Sequence, residues 1–131
     1  MPSLKAFLAK VYAAIIYRKI TKWASKPFET QNSVFKSLIS DAASTKFGVD
    51  HGFTNINSHE DFVKRVPVRD YEALRPYVDK VVAGESDILW KGKPLYFAKT
   101  SGTTSGAKYI PITKESMPGH VEAAKNAILL Y

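Results

Sequence analysis

Cysteine is missing from the sequence altogether. That excludes a disulfide framework, a thiolate metal centre and a cysteine nucleophile, and it fits a reducing cytoplasm. Long apolar runs are missing too. No stretch of about 18 apolar residues occurs, so no transmembrane helix is expected. No internal repeat or low-complexity tract appears. Acid is missing from the first 26 residues, which hold Lys5, Lys10, Arg18, Lys19, Lys22 and Lys26 and so account for +6 of the net charge of +7. The rest of the chain is close to neutral. A nucleic-acid reader would spread basic residues over a face and interleave aromatics there, so no nucleic-acid partner is expected. Metal spacing is lacking as well: His51, His59 and His120 stand as separate solvated residues, and no metal site is assigned. Asp61, Asp70 and Glu72, like Glu85 and Asp87, are better explained as helix caps and solvated faces than as paired catalytic carboxylates. There is no Gly-x-Ser-x-Gly elbow, so Ser101 is not a nucleophile candidate and no catalytic residue is assigned.

What is present is an ordinary globular composition, 45% hydrophobic and 24% charged over 131 residues, enough for one small domain. Leu4, Phe7, Leu8, Val11, Ile15 and Ile16 recur at helical spacing, which predicts an amphipathic helix over 3–24 packed on its own domain by that stripe. A basic helix with aromatics also resembles a membrane-surface helix, the less favoured reading. Lys26-Pro27 breaks it. A second helix is predicted from about Glu29 to Lys46, with Phe35, Leu38, Ile39 and Ala42 inward and Gly48 as its C-terminal cap. The two would form an antiparallel helical pair over 1–48. Phe53 to Asn57 reads as a loop, Ser58 as an N-cap, and Asp70 as the cap of a helix that Gly84 stops. Ile88 to Trp90 is expected to be extended before a Gly92–Pro94 turn, and Thr113 to cap a last helix.

The distinctive stretch lies between Leu95 and Thr113. Leu95 to Ala98 reads as a buried strand, and Tyr109 to Ile112 as a second one, with Pro111 marking an edge. Between them Thr100-Ser-Gly-Thr-Thr-Ser-Gly106 holds no side chain larger than threonine. Such a loop brings backbone N–H groups and hydroxyls close to a ligand, and Lys99 and Lys108 bracket it with positive charge. That is the chemistry of a phosphate cradle. It is not a Walker A loop, because Ala107 stands five places after Gly102 and Lys108 precedes Tyr109. Nor is it a dinucleotide fingerprint, since Gly-x-Gly is absent.

Thr100 through Lys108 resembles the phosphate-binding signature of the adenylate-forming superfamily: two hydroxyl residues, Gly, two hydroxyl residues, a small residue, a variable one, a small apolar one and Lys. With Phe62 to Tyr77, Gly84 to Trp90 and Lys93 to Phe97 it resembles the auxin-responsive promoter family of acyl-acid amido synthetases, in its bacterial branch. The resemblance implies an α/β fold, α+β in this chain alone, with N-terminal helices followed by a strand–phosphate loop–strand unit within a larger domain. It implies that 49–131 carries the loop, and that this chain is an N-terminal piece of a longer cytoplasmic enzyme. The implied reaction activates a carboxylic acid with ATP and Mg²⁺ as an acyl-adenylate, which an amino acid then attacks to form an amide. Phosphate binding carries over to Thr100, Ser101, Gly102, Thr103, Thr104, Ser105 and Gly106, and a charge-screening role to Lys108. The magnesium ligand and the pockets for acid and amine are implied outside this chain, which alone would be inactive. Another adenylate former making a thioester, a truncated non-catalytic product, and a membrane-surface module are the alternatives. The resemblance leaves oligomeric state open.

Overall fold

The computed structural model describes residues 4–101 and 106–130. In chain order it contains α1 (Leu4–Ala24), α2 (Pro27–Ala42), α3 (Lys46–Asp50), a single 3-10 turn (Phe53–Asn55), α4 (His59–Arg65), α5 (Tyr71–Val82), β1 (Tyr96–Thr100), β2 (Lys108–Ile112) and α6 (Met117–Leu130). It is mostly helical with one small antiparallel sheet, the α+β form expected of this chain. The residues divide into two compact units, one of residues 34–114 and one of residues 1–33 with 115–131.

In the unit formed by the two ends, α1 packs on α6. Ile16 is its buried residue, with Ala6, Ala13 and Ile20 half-buried. Ile16 is the one member of the predicted stripe that is buried: Leu4 is 74% exposed and Phe7 61%, with Leu8, Val11 and Ile15 also exposed. The helix is therefore where periodicity placed it, but it docks by the side that Ile16 shares with Ala6, Ala13 and Ile20. Alanines and isoleucines fill that side of α1, so apolar spacing alone does not select one face. Lys19 Nζ meets Glu122 Oε1 at 2.6 Å, and that carboxylate holds the Lys19 ammonium above its ordinary pKa. α6 begins at Met117, not directly after Thr113, with Pro118 in its first turn, where a missing N–H leaves no helical bond unmade.

The 34–114 unit is built around Ile39, Ala42, Phe53 and Ile56, with Phe35, Phe47, Phe62, Val66 and Trp90 packed against them. Aromatic edges order this core: Phe47 meets Phe53, and Phe35 meets Phe62, each T-shaped with centroids 5.9 Å apart. Leu38, expected inward, is exposed.

Two helix signals need correction here. α2 stops at Ala42, and Gly48 lies inside the separate helix α3. Thr45 divides the two. Its hydroxyl donates to the Ala42 carbonyl at 2.7 Å and accepts from the Gly48 N–H at 3.0 Å, so it ends one helix and caps the next. His51 is buried, not solvated: it stacks on Phe47 with centroids 4.1 Å apart, and its Nδ1 lies 2.7 Å from the Phe47 carbonyl. Beside it the Tyr77 hydroxyl donates to Asp50 at 2.8 Å. Lys46, and then Tyr77, hold the Asp50 carboxyl below its usual range, while burial first and Asp50 second push the Tyr77 phenol up.

The other caps stand as read. Ser58 accepts from the Asp61 N–H while the Asp61 carboxylate accepts from the Ser58 N–H, a reciprocal capping box. Asp70 accepts from the Ala73 N–H at 2.9 Å. At the end of α5, Gly84 has φ +90°, its N–H donates to Val81, and the Glu85 N–H reaches back to Lys80. That pair of bonds is a Schellman closure, and the left-handed residue in it favours glycine. Pro76 lies past the first turn of α5; the carbonyl that loses its helical donor belongs to Glu72, an exposed residue, so the loss falls on the solvent side of the helix.

Residues 85–94 are irregular, not an extended segment. Asp87 has φ +58°; its carboxylate accepts from the Gly92 N–H at 2.7 Å, and that contact, followed by one from Ser86, holds its pKa below the ordinary carboxylate value. The carbonyls of Asp87 and Ile88 accept the first free N–H groups of α3, from Lys46 and Phe47. This ties the segment entering β1 to the core.

Candidate functional site

β1 and β2 pair antiparallel in the register Tyr96↔Ile112, Phe97↔Pro111, Ala98↔Ile110, Lys99↔Tyr109 and Thr100↔Lys108. β1 reaches two residues beyond Ala98, so Thr100 ends a strand and does not begin the loop. The expected burial is absent. Every residue of β1 is exposed; α5 packs against β2. Aromatic content marked β1 as a strand but could not say whether anything in this chain covers it.

Of the residues assigned to phosphate binding, Thr100, Ser101, Gly106 and Lys108 are described, and Gly102, Thr103, Thr104 and Ser105 lie outside the described residues. Thr100 and Lys108 are directly opposite, so the first hydroxyl of the signature and its lysine share one face at the base of the loop. Gly106 has φ +81°, and a Cβ there would meet none of the described residues within 4 Å; its left-handed backbone is what favours glycine.

The two bracketing lysines separate. Side chains alternate along a strand, so Lys99 shares its face with Tyr109, and Lys108 shares the other with Thr100. Lys99 Nζ stands 5.9 Å from the centroid of the Tyr109 ring, which Phe97 braces edge-on at 6.2 Å. Lys108 Nζ lies 5.4 Å from the centroid of the Tyr71 ring. Tyr71, the first residue of α5, also accepts the Tyr109 N–H on its hydroxyl at 2.9 Å. That N–H thus points away from β1. Pro111, two residues on, has its missing donor on the same side, which is how β2 accommodates proline.

Tyr71 is the residue the sequence did not single out. Its only local signal was its place after the Asp70 cap, and a contact spanning 38 residues of chain is not a spacing pattern. Thr100 and Lys108 set a hydroxyl and a cation on one face of the hairpin, a donor set whose chemistry suits a polyphosphate. Among the described residues no group of three His, Cys, Asp or Glu is arranged to hold a metal ion, and no helix is long and apolar enough to cross a membrane.

Comparison with known proteins gives a consistent set. The GH3 family N-terminal domain matches residues 16–130. The indole-3-acetic acid-amido synthetase GH3.15 of Arabidopsis thaliana is 35% identical over 107 residues, covering 79% of this chain and 18% of that protein. The jasmonoyl–L-amino acid synthetase JAR4 of Nicotiana attenuata is 23% identical over 115 residues, 86% of this chain and 19% of that protein. The 4-substituted benzoates-glutamate ligase GH3.12 of Arabidopsis thaliana is 36% identical over 73 residues, 55% of this chain and 12% of its own length. The chain thus spans less than a fifth of the length of these relatives. No solved structure matches it significantly.

Proposed function

The chain belongs to the GH3 family, matched over residues 16–130 by that family's N-terminal domain, and on that premise we propose that it forms the phosphate-binding portion of an ATP-dependent acyl-acid amido synthetase. The relatives are named as an indole-3-acetic acid-amido synthetase, a jasmonoyl–L-amino acid synthetase and a ligase of 4-substituted benzoates with glutamate. Their acids differ, so the proposal names the class, a small carboxylic acid and an amino acid, and no single compound.

One observation carries the assignment to this stretch: the strand register sets Thr100 opposite Lys108, which gathers the two ends of the signature at one base. ATP supplies the leaving group, pyrophosphate, when the acid's carboxylate oxygen attacks the α-phosphorus; the amino acid's nitrogen then attacks the acyl carbon and AMP departs. This chain's part is electrostatic. N–H and O–H donors from Thr100 to Gly106 hold the β- and γ-phosphates, and the Lys108 ammonium screens the charge that builds on departing pyrophosphate. Magnesium would share that charge, with its ligands outside this chain.

The test is ATP–pyrophosphate exchange in a protein of amido-synthetase length that carries this sequence. Exchange should require a carboxylic acid. Thr103→Ala or Lys108→Ala should slow it about a hundredfold, the scale of losing one donor where charge develops, and should weaken binding of the acid much less. Exchange at the parental rate in both variants would reduce the loop to an ordinary turn.

A further inference from the structure

We propose that Tyr71 is a positioning residue of the phosphate site, using its hydroxyl to fix β2 and its ring to seat the Lys108 ammonium on the side of the hairpin where Thr100 stands. The inference rests on the phosphate reading of Lys108. Three contacts carry it. The Tyr71 hydroxyl accepts the Tyr109 N–H at 2.9 Å, which ties β2 to the start of α5 one residue after Lys108. The Tyr71 ring lies under Lys108 Nζ at 5.4 Å from its centroid, within the range in which a ring quadrupole attracts an ammonium. Asp70 caps α5 through the Ala73 N–H, so the turn that presents Tyr71 is itself held.

The chemistry of the pairing suits a polyphosphate site. A carboxylate under Lys108 would neutralise the charge the site needs. An aromatic face restrains the ammonium without cancelling its charge or occupying it with a strong acceptor. Lys108 is half-buried, so the ring also limits the rotamers of a long side chain that would otherwise lose that freedom on binding. Lys99 has its own ring, Tyr109, on the other face, so it does not replace Lys108 in this arrangement.

The experiment uses a protein of amido-synthetase length that carries this sequence, selectively isotope-labelled, with tripolyphosphate as the probe and backbone amide shifts as the readout. Lys108→Ala should weaken binding about tenfold, as loss of a charged partner does. Tyr71→Leu should weaken it about two- to fivefold, the worth of a modest cation–π contact, and Tyr71→Phe, which keeps the ring, should stay closer to the parent. The deciding variant is Lys108→Ala with Tyr71→Leu: if Tyr71 acts through Lys108, the double variant binds no more weakly than Lys108→Ala alone. Equal weakening by Tyr71→Leu with and without Lys108 would make Tyr71 a packing residue and overturn the inference. A parent that shows no tripolyphosphate-dependent shifts, or a Lys108→Ala variant of parental affinity, would sink the phosphate reading itself. A second measurement needs no disruptive variant: ring current should move the Lys108 side-chain methylene protons upfield in the parent and in Tyr71→Phe, and unshifted protons there would also overturn it.

Discussion

Replacing Gly48 by alanine should destabilise the 34–114 unit, against the usual rule for helices. In an open helix the change is stabilising by about 1 kcal/mol. Here an added Cβ would lie 2.0 Å from the Ala42 carbonyl oxygen, 3.0 Å from its carbon and 3.1 Å from the Ala43 carbonyl carbon. All three are backbone atoms, so no rotamer change relieves the contact. The oxygen is also pinned, since it accepts the Thr45 hydroxyl at 2.7 Å and the Thr45 N–H at 3.0 Å. Relief therefore means moving the α2–α3 junction and stretching at least one of those bonds. Overpacking of this kind costs about 1–3 kcal/mol or more, and a weakened hydrogen bond adds roughly 1 kcal/mol. Against the helix gain the net is a loss of about 2 kcal/mol. With a urea slope of about 1–3 kcal/mol per molar, the unfolding midpoint should fall by roughly 1 M. Trp90, which packs on the core of this unit, reports the transition by fluorescence in a Trp23→Phe background. Gly119→Ala is the control, because a Cβ there meets nothing within 4 Å and helix content should hold or rise. A Gly48→Ala midpoint equal to or above the parent's would refute the steric argument.

Thr45→Val should cost about 2 kcal/mol, because the Gly48 N–H then has no acceptor at a site with 0% exposure and a buried unmade donor costs roughly 1–3 kcal/mol; Thr45→Ser should restore most of it in the same urea assay, and a neutral valine would count against the junction as described. Acid should weaken the fold through Asp61, held below its ordinary value by Ser58 and then Asn57, and through Asp87, held down by Gly92 and then Ser86. A depressed carboxylate stabilises fully above its unfolded pKa, and the benefit is lost as pH falls through the lower folded value, so the urea midpoint should hold from neutrality to about pH 5 and drop below about pH 4. Asp61→Asn with Asp87→Asn should lower the neutral midpoint and flatten the acid decline; an equally steep decline in that variant would assign the effect to other groups.

Local chemistry was legible in the sequence wherever one short segment decides the outcome. Ser58 and Asp70 as caps, Gly84 as a stop, the helical spacing of 4–24 and the strands around a loop of small residues all follow from what neighbouring atoms in the chain can bond, and the described elements agree with them. The family, too, could be read from one string and its flanks. Docking was another matter. The apolar spacing of α1 showed that it is a helix, yet Ile16 is buried while Phe7 and Leu8 are exposed, because a helix with apolar residues on two sides leaves the choice to its partner. Gly48 looked like a terminator until the close approach of Ala42 made it a packing residue. His51 turned from solvated to buried once Phe47 and Tyr77 closed around it. Strand alternation could in principle have separated Lys99 from Lys108, but only a register tells which of them shares a face with Thr100. Tyr71 meets Lys108 and also Tyr109, the latter 38 positions along the chain, a distance over which no spacing rule operates. The sequence by itself determined the caps at Ser58 and Asp70, the stop at Gly84 and the pair of strands around a loop of small residues, because each is decided within one short segment. Tertiary structure decided which lysine faces the first hydroxyl and what seats it, because those depend on contacts between segments whose separation along the chain carries no signal.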